Sequence, residues 1–412
     1  MGELPATAMS EAPVEINIVV PAGIDDPARP SGGNRYDRRV IDELTALGRV
    51  VHEHRVADLD RVLSLLSELP DGAIVVVDGL LVCVAPDGDL HDVMQGNPPV
   101  TLHDVKRDNP PVTLHDVKQD AVVAACERLR VVVLLHMPFA DAHPEESVRR
   151  GERAVLSAAA GVVTTSEWAR NWVVRQHGVA AERVQAVPPG VDDPVGRGGR
   201  SATVARPETA GQLLCLGAVT SAKGHDTLFT ALAEIADLDW QCTVAGALDL
   251  EPDYVAGLQE IALRSGIADR VVFAGPLTGD RLEVAFDDAD LLVSASRRES
   301  YGMAVTEALA HGIPAVITDV GGHGEALGRL DDGTLAGVLL PPDDPDLLAG
   351  ALRRWLEDPA ERERLRSTAD RRRTALGSWA DTARGLADAI DAAALNRTDA
   401  RPVSPDTTYA HR

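Results

Sequence analysis

The stretch Ser294–Leu327, SASRRESYGMAVTEALAHGIPAVITDVGGHGEAL, is the most informative part of this chain. The apolar run DLLVSA that leads into it predicts a buried parallel strand, and Met303–His311 predicts the helix after that strand. Gly302 allows a tight turn between the two, so the first amide groups of the helix can face an anion. Two acids, Glu299 and Glu307, flank that turn. A helix N-terminus between two carboxylates suits a ligand that carries a phosphate at one end and hydroxyl groups at the other.

Length and composition place the chain among large α/β proteins. Its 412 residues exceed one ordinary hydrophobic core and predict two domains of similar size. The apolar content of 45% with only 3% aromatic residues is typical of Val, Leu, Ile and Ala cores in α/β proteins. The net charge of −24 argues against nucleic acid or anionic lipid headgroups as partners.

Cysteine usage and hydropathy favour a cytoplasmic protein with reduced thiols. The four cysteines are scattered and form no Cys/His cluster of the kind that binds zinc. They are Cys83, Cys126, Cys215 and Cys242. The acidic N-terminus lacks the apolar segment of a signal peptide, and no run approaches the roughly 18 apolar residues of a membrane span. Peripheral association with a membrane stays open.

Strand-like and helix-like segments alternate along both halves of the chain. The runs that predict strands in the first half are Ile16–Pro21, Val50–Arg55, Ala73–Val77, Val131–His136 and Gly161–Thr165. Those in the second half are Leu213–Gly217, Trp240–Ala245, Val271–Ala274, Leu291–Ser294 and Ala315–Thr318. After the loop 22–34, a first helix has Tyr36, Val40, Leu44 and Leu47 on one face. This alternation predicts two Rossmann-like domains with parallel sheets that face each other across a cleft.

Composition also predicts the domain boundaries. An N-terminal domain spans residues 1–195, with a loose leader at 1–14, and a Gly/Arg/Ser/Pro-rich linker spans 196–211. The C-terminal domain spans 212–377, and residues 396–412 are expected to be disordered. An insert at about 88–120 contains NPPVTLHDVK twice, at 97–106 and 109–118, and is expected to be a surface loop. Its His-Asp pairs at 103–104 and 115–116 could chelate a metal, although a neutral tandem duplication is the simpler explanation.

The opening stretch resembles the signature of family 4 retaining glycosyltransferases, which have the two-domain GT-B fold. That signature is an acid, seven residues, a second acid, a small-residue helix, G-x-P, a short strand and a Gly-Gly turn. Here it comprises Glu299, Glu307, Gly312-Ile313-Pro314, Ala315–Thr318 and Gly321-Gly322. The resemblance also implies that the final helix, 379–395, packs back on the first domain.

The resemblance assigns roles to the two acids and to the residues at the helix start. Glu307 is expected to hold the ribose hydroxyls of a nucleotide sugar, and Glu299 a hydroxyl of the transferred sugar. The turn Tyr301-Gly302-Met303 offers its amides to the diphosphate. By themselves the two glutamates would be interpreted as solvated surface charges.

Two further segments are candidates for the diphosphate. Gly32 and Gly33 lie between the first strand and the first helix, where they can present backbone amides without a Cβ in the way. An ordinary βα turn is the alternative, and the absence of G-x-G-x-x-G argues against NAD or FAD. Lys223 precedes a helix of the second half, where an isolated lysine would ordinarily be a surface residue. In the family, such a glycine turn and such a lysine contact the donor phosphates.

The chain lacks one basic residue of the family pattern. Family members usually carry an arginine five residues before the lysine, and here that position is Ala218. Lys223 is therefore the main candidate for charge compensation, with Arg297 and Arg298 as weaker candidates.

The resemblance supports two more residues as candidates for the site. His136 closes a strand at the edge of the sheet where α/β proteins place ligands, although a histidine there is often structural. In the family a matching histidine faces the transferred sugar. The loop GPLTG, which contains Leu277, corresponds to backbone that contacts the nucleobase.

The predicted function is therefore retaining transfer of a sugar from a UDP- or GDP-linked donor to a hydroxyl acceptor. His136, Lys223 and Glu299 are the predicted catalytic residues, and no metal or other cofactor is expected beyond the nucleotide-sugar co-substrate. The acceptor is expected to be a small molecule, a glycan or a lipid. Three alternatives remain open: coupling of sugar-like units without a true glycosidic bond, isomerisation of a nucleotide sugar, and non-catalytic binding of one. A glycogen-type phosphorylase would need a pyridoxal phosphate lysine, for which the sequence offers no context.

Overall fold

The computed structural model describes residues 14–83, 114–143, 145–193 and 211–395. Within these ranges the chain forms two six-stranded sheets in which every strand pair is parallel. Helices connect successive strands, as parallel pairing requires. The two Rossmann-like domains predicted from the alternation are confirmed.

The first sheet has the strand order β2-β1-β3-β4-β5-β6. Its strands are β1 Glu15–Pro21, β2 Val50–Val56, β3 Ile74–Asp78, β4 Arg130–Leu135, β5 Gly161–Thr164 and β6 Val184–Ala186. The helices of this half are α1 Gly32–Ala46, α2 Leu59–Glu68, α3 Gly79–Cys83, α4 Leu114–Arg128, α5 Phe139–Ala142, α6 Glu146–Ala158 and α7 Glu167–His177. Apolar runs such as Val75–Val77 are buried because helices cover both faces of the sheet.

The second sheet has the strand order β12-β11-β10-β7-β8-β9. Its strands are β7 Gln212–Leu216, β8 Gln241–Ala245, β9 Val271–Gly275, β10 Leu291–Ser294, β11 Ala315–Thr318 and β12 Val338–Leu340. The remaining helices are α8 His225–Glu234, α9 Pro252–Arg264, α10 Asp280–Asp288, α11 Met303–Ala310, α12 His323–Leu327, α13 Pro345–Glu357, α14 Pro359–Arg373 and α15 Trp379–Leu395. The chain order reverses between β7 and β10, and such a switch point is where open α/β sheets bind ligands.

The final helix belongs to the core of the first domain although it lies at the other end of the described chain. Leu386 and Ile390 of α15 are fully buried in the same apolar cluster as Ile16 of β1. The Trp379 ring meets Tyr36 of α1 edge-to-face, with 5.9 Å between the ring centroids. The chain therefore crosses between the domains twice.

The two crossings touch each other. The amide of Val191 donates to the carbonyl oxygen of Gly377 at 3.0 Å, and Val191 forms an isolated parallel bridge with Ser378. Gly190 is required here, because a Cβ on it would lie 2.3 Å from the carbonyl carbon of Ser378. Backbone contacts therefore hold together the segments that adjoin the two crossings.

In the first domain, the helices α1 and α4 differ from the sequence-based expectations. The loop after β1 ends at Ser31, and helix α1 starts at Gly32, because the Ser31 hydroxyl accepts the Asn34 amide as an N-cap. Leu47 lies beyond the last turn of α1 and is exposed, so it does not extend the apolar face. The second copy of the repeat is not all loop, since its residues from Leu114 onward begin α4, whose later turns bury Val122 and Cys126.

The other expectations for the insert, linker, leader and tail fall on residues 84–113, 194–210, 1–13 and 396–412, which lie outside the described ranges. All four cysteines are described, and each is buried with a free thiol. Among the described residues, no helix combines the length and the apolar character that crossing a membrane requires.

Candidate functional site

The start of helix α11 is shaped by glycine and by a buried histidine. Gly302 is the N-cap residue and has a φ of +103°, which a residue with a side chain would adopt only under strain. A Cβ on Gly302 would also lie 2.5 Å from Cδ2 of His323. Nδ1 of His323 lies 3.0 Å from the carbonyl oxygen of Thr318, which fixes the ring under the turn. The amides of Met303 and Ala304 open this helix, where the backbone offers them no carbonyl partner four residues earlier within the helix.

The Gly-Gly turn supports the loop that carries the first acid. The Gly322 amide donates to the carbonyl oxygen of Glu299 at 3.0 Å. A Cβ on Gly321 would lie 1.7 Å from that oxygen, and one on Gly322 would lie 2.2 Å from the carbonyl oxygen of Ser300. The two loops are therefore packed backbone to backbone, which explains why both positions are glycine.

Glu299 and Lys223 form an ion pair at the carboxyl end of the second sheet. The Ser296 hydroxyl donates to Oε1 of Glu299 at 3.1 Å, and Nε2 of His323 lies 3.8 Å from the same oxygen. Burial alone would raise the pKa of Glu299, but Lys223, His323 and Ser296 outweigh it and hold the pKa below its ordinary value. The carboxylate is thus charged and its position is fixed.

Lys223 reaches this position from a tight turn between β7 and α8. It ends the 3₁₀ turn Ser221–Lys223, and Gly224 follows with a φ of +64°. A Cβ on Gly224 would lie 2.1 Å from the carbonyl oxygen of Ala295, which directly follows β10. The turn after β7 and the end of β10 are thus in contact, and this contact brings the lysine beside Glu299.

Glu307, the second acid of the motif, contacts a residue of the first domain. Nη1 of Arg35 lies 2.7 Å from Oε1 of Glu307, and Nη2 of Arg35 lies 2.9 Å from Oδ2 of Asp192. Burial raises the pKa of Glu307, and the Arg35 charge opposes that rise. Arg35 is therefore a cation at the site that sequence reasoning missed. The available signal was a basic residue in the first turn after Gly32-Gly33.

The two weaker cation candidates are engaged elsewhere. The Arg297 guanidinium donates to both carboxylate oxygens of Asp226 at 2.8 Å and to Asp343 at 2.6 Å. Nη1 of Arg298 donates to the carbonyl oxygen of Ala142 in the first domain at 3.0 Å.

Gly32 and Gly33 form the first turn of α1 and lie between candidate residues of both domains. A Cβ on Gly32 would lie 3.2 Å from Sδ of Met303, the first residue of α11. A Cβ on Gly33 would lie 3.1 Å from Cδ2 of His136. The glycine turn, His136 and the α11 N-terminus are therefore neighbours, as a shared binding site requires.

His136 follows β4 and is held by a buried acid of α1. Its Nε2 lies 2.8 Å from Oδ1 of Asp37, and Asp78 at the end of β3 completes a buried cluster. Desolvation lowers the pKa of His136, but Asp37 and Asp78 outweigh it and raise that pKa to about 9. Burial and the nearby Asp37 raise the pKa of Asp78 to about 7.

These three side chains are the only set in the described part of the chain with His, Cys, Asp or Glu ligand atoms mutually within 4.8 Å. The 2.8 Å separation between Asp37 and His136 is a hydrogen-bond length, which a proton between the two atoms satisfies. Two other residues that the sequence predicts for the site are less central. Tyr301 is buried before Gly302, and burial raises the pKa of its hydroxyl to about 12. Leu277 follows the edge strand β9, three strands from β10 in the sheet order.

Comparison with known families gives two matches that together reach into both domains. The family described as "Glycosyl transferases group 1" matches residues 201–372, and "Glycosyltransferase Family 4" matches residues 101–194. The first range contains Lys223, Glu299 and Glu307, and the second contains His136.

Curated relatives carry one recurring name. The chain is 31% identical over 261 residues to a D-inositol 3-phosphate glycosyltransferase of Xylanimonas cellulosilytica, with 61% of each chain covered. It is 34% identical over 253 residues to the protein of that name from Thermomonospora curvata, which covers 57% of this chain and 58% of the relative. The chain thus spans about three fifths of the length of the curated relatives it matches.

Solved structures with the same architecture confirm the two-domain fold. A glycosyltransferase from Rickettsia africae superposes with a TM-score of 0.65 at 14% identity, covering 94% of this chain and all of the other. Anabaena HepE in complex with UDP and glucose superposes with a TM-score of 0.62 at 18% identity, covering 92% and 99%. At such low identity these likenesses establish the fold and nothing finer.

Proposed function

Because the chain belongs to the group 1 (family 4) glycosyltransferases, we propose that it transfers a sugar from a nucleotide-diphosphate sugar to a hydroxyl acceptor. One observation carries the proposal. The glycine turn of α1 meets the N-terminus of α11, and this junction is flanked by the Lys223–Glu299 pair and by Glu307. Helix N-terminal amides and cationic side chains thus lie near two carboxylates, a set of groups that suits a diphosphate bearing a sugar on each side.

In the proposed complex, Glu307 holds the ribose hydroxyls and Glu299 a hydroxyl of the transferred sugar. Both carboxylates can accept hydrogen bonds from hydroxyl groups because each is held in place by a cation. In this structure the Arg35 guanidinium forms an ion pair with the Glu307 carboxylate. A donor would therefore displace this guanidinium or share it, and the freed arginine would lie beside the diphosphate.

Catalysis in this proposal comes from stabilising the leaving group. Charge accumulates on the departing diphosphate as the bond to the sugar breaks, so fixed positive groups there lower the barrier. In this proposal, Lys223 and the amides of Gly32, Gly33 and Met303 supply them. We propose that these groups suffice without a metal ion. The acceptor would attack from the face that the leaving group vacates, and the leaving phosphate would take its proton, which retains the anomeric configuration.

The names of relatives suggest which substrates to test first. HepE was captured with UDP and glucose, so UDP-glucose is the first donor to try, and a GDP-linked sugar is the second. The curated relatives are named for D-inositol 3-phosphate, which makes that compound the first acceptor to try. A hydroxyl acceptor of another class remains compatible with the proposed donor site.

The first experiment is a thermal-shift panel with UDP, GDP, ADP, CMP and dTDP on the wild type and on Glu307→Ala. A nucleotide at about a hundred times its dissociation constant stabilises a fold by about 2.7 kcal/mol, which raises the Tm by a few degrees. We expect one nucleotide to raise the Tm of the wild type and to leave Glu307→Ala unshifted. The folded state of Glu307→Ala should persist.

The matched control is Glu363→Ala, which removes an exposed glutamate of α14 in the same domain. It should keep the full nucleotide shift. Equal shifts for the wild type and Glu307→Ala would disprove the ribose assignment. Product analysis with the preferred donor then separates transfer to a hydroxyl from coupling without a glycosidic bond and from isomerisation, and binding without turnover would indicate a non-catalytic protein.

A further inference from the structure

The most unusual group of side chains in the described chain lies behind His136. Asp37 on α1 is fully buried at 0% exposure, and Asp78 at the end of β3 is 4% exposed. Oδ1 of Asp37 is 2.8 Å from Nε2 of His136, while its other oxygen, Oδ2, is buried with no hydrogen-bond partner. Two buried carboxyl groups beside one imidazole are costly to bury unless they share protons and charge.

The imidazole is oriented by its surroundings on several sides. The Tyr36 ring packs edge-on against it with 5.3 Å between centroids, and Gly33 lies against its Cδ2 edge. The Thr165 hydroxyl donates to the carbonyl oxygen of His136 at 3.2 Å. The titratable groups facing the ring are Asp37 and Tyr36 from α1 and Asp78 from β3. Tyr36 adds no charge, because its hydroxyl donates to the Val187 carbonyl oxygen and burial keeps it protonated.

The two ring nitrogens therefore have different tasks. Nε2 faces Asp37 and is unavailable to a ligand. Nδ1 has no protein partner in the described part of the chain and is not buried, and the side chain keeps 18% of its surface exposed. Since Gly33 of the glycine turn touches this ring, a ligand bound at that turn would approach Nδ1.

We propose that Asp37 is a positioning residue that, with Asp78 behind it, holds His136 as an imidazolium whose Nδ1–H donates to the bound ligand. His136 then acts as a fixed hydrogen-bond donor and not as a general base. The surroundings support this assignment: the ring lies against the buried Asp37 carboxyl, and burial together with Asp37 raises the pKa of Asp78 to about 7, so Asp78 binds a proton more readily than an ordinary aspartate. The role in sugar transfer rests on the proposed function, whereas the protonation state does not.

The protonation state can be measured without substrate. The imidazole resonances of the wild type are followed by NMR from pH 5 to 10, and the His136 signals are those missing in His136→Gln. We expect a titration midpoint near the pKa of about 9 that the two aspartates produce. In Asp37→Asn the midpoint should fall by about 1–3 units, because an opposite charge in contact is removed. The matched control, Asp42→Asn, removes an exposed aspartate of the same helix and should leave the midpoint unchanged.

The pH dependence of turnover distinguishes a hydrogen-bond donor from a general base at His136. If His136 is a donor, wild-type kcat is constant between pH 6 and 8, and Asp37→Asn loses about tenfold or more at pH 8 but recovers as the pH falls and the ring is reprotonated. In Asp37→Asn, the KM for the nucleotide sugar should change less than kcat. A general base would show the opposite dependence, with wild-type kcat falling as the ring is protonated at low pH.

Three results would overturn the proposal. A wild-type midpoint at or below the ordinary pKa of 6.5 would show that His136 is neutral at physiological pH, and this result does not depend on any variant folding. Activity of Asp37→Asn that matches the wild type across the pH range would remove the positioning role. A divalent ion that copurifies in 1:1 ratio with the wild type and is lost in Asp37→Asn would identify the cluster as a metal site. If no donor supports turnover, the proposed function fails, while the NMR result still decides the protonation state.

Discussion

At the scale of single residues, the Lys223–Glu299 pair determines whether a buried carboxylate stays ionised. Glu299 is largely buried and its pKa is nevertheless lowered, because Lys223 and His323 face it. Stability from a lowered carboxyl pKa is present above the unfolded value of about 4.5 and is lost as the pH falls through the folded value. The pair therefore links the predicted catalytic function to the stability of the second domain.

Lys223→Met tests this link. The variant leaves Glu299 buried without its cation, so its pKa should rise, and we expect the free energy of unfolding at pH 7.5 to fall by about 1–2 kcal/mol. The loss is smaller than the roughly 3–5 kcal/mol of a fully buried pair, because the Lys223 side chain is 30% exposed. Urea unfolding should show the deficit shrinking as the pH falls through the raised pKa of Glu299 in the variant, where the unpaired carboxylate becomes protonated.

The double variant Lys223→Met/Glu299→Gln is the matched comparison. It removes the stranded charge and should regain most of the lost stability at pH 7.5. A deficit that is independent of pH, or one that the second substitution leaves unchanged, would show that Lys223 stabilises the fold by packing and not by its charge.

The partners of single residues were the hardest feature to predict from the sequence. The sequence identifies His136 as a candidate, but its partner Asp37 is 99 positions away. Nothing in the sequence pattern around Asp37 distinguishes it from an ordinary polar residue of a helix. Arg35 and Asp78 were missed for the same reason, since side-chain pairs between elements depend on packing that periodicity does not report. The candidate residues within Ser294–Leu327 could be identified because their spacing along the chain can be read directly from the sequence.

At the scale of elements, the site depends on close packing between short turns. The Gly321-Gly322 turn supports the Glu299 loop from below, and Gly224 lies against the end of β10. In such places glycine is needed because backbone approaches backbone, and added atoms would displace the whole loop.

Gly322→Ala should show how far the acid loop depends on this turn. Its φ of −88° suits alanine, so the expected effect is purely steric: the new Cβ would lie 2.2 Å from the Ser300 carbonyl oxygen. We expect overpacking to cost about 1–3 kcal/mol in the free energy of unfolding. The nucleotide-dependent Tm shift should fall as well, because the displaced loop leads directly into the Tyr301-Gly302-Met303 turn, whose amides are proposed to bind the diphosphate.

Gly350→Ala is the control. Gly350 lies in helix α13, where a Cβ would have only the end of the Arg354 side chain near it, at 3.9 Å. This substitution should stabilise the protein by about 0.5–1 kcal/mol, since alanine is the better helix former. A Gly322→Ala protein as stable as Gly350→Ala, with an unchanged nucleotide shift, would contradict the steric argument.

Most elements could be predicted because their signal is local. The strands at Leu291–Ser294 and Ala315–Thr318 were predicted to the residue, since apolar runs between turn residues mark buried parallel strands. Strand β12, with only three partly buried residues, was missed because so short a segment carries no distinct period. The start of α1 was misplaced by three residues, since Gly32 and Gly33 resemble loop residues until the Ser31 cap is seen.

At the scale of the whole molecule, side chains of each domain form hydrogen bonds and ion pairs with the other domain. The Glu325 carboxylate of α12 accepts the amides of Glu167 at 2.8 Å and Trp168 at 2.6 Å, at the N-terminus of α7 in the first domain. Arg35 and Arg298 add two further interdomain contacts. The partly positive helix end attracts the carboxylate, so Glu325 stabilises the arrangement in this structure, in which the two domains are in contact and which we call closed.

Glu325→Ala should shift the domains toward an open arrangement. Hydrogen bonds to a charged group contribute about 1.5–3 kcal/mol, so the ratio of the closed to the open arrangement should fall roughly tenfold or more. Pulsed EPR between spin labels placed on exposed sites of the two domains should show longer and broader distances than in the wild type. Glu182→Ala, which removes an exposed glutamate near β6, is the control and should leave the distances unchanged. Identical distributions for wild type and Glu325→Ala would mean that this contact does not hold the domains together.

The return of α15 to the first domain has a consequence for how the protein is made. During synthesis, β1 to β6 leave the ribosome long before Trp379–Leu395, because the entire second domain is translated between them. At roughly 5–20 residues per second that delay is on the order of ten to forty seconds. Throughout it, the nascent first domain exposes the apolar surface that Leu386 and Ile390 later cover. A chaperone that binds apolar surface would have its longest opportunity here, and a chain released early would expose this surface permanently.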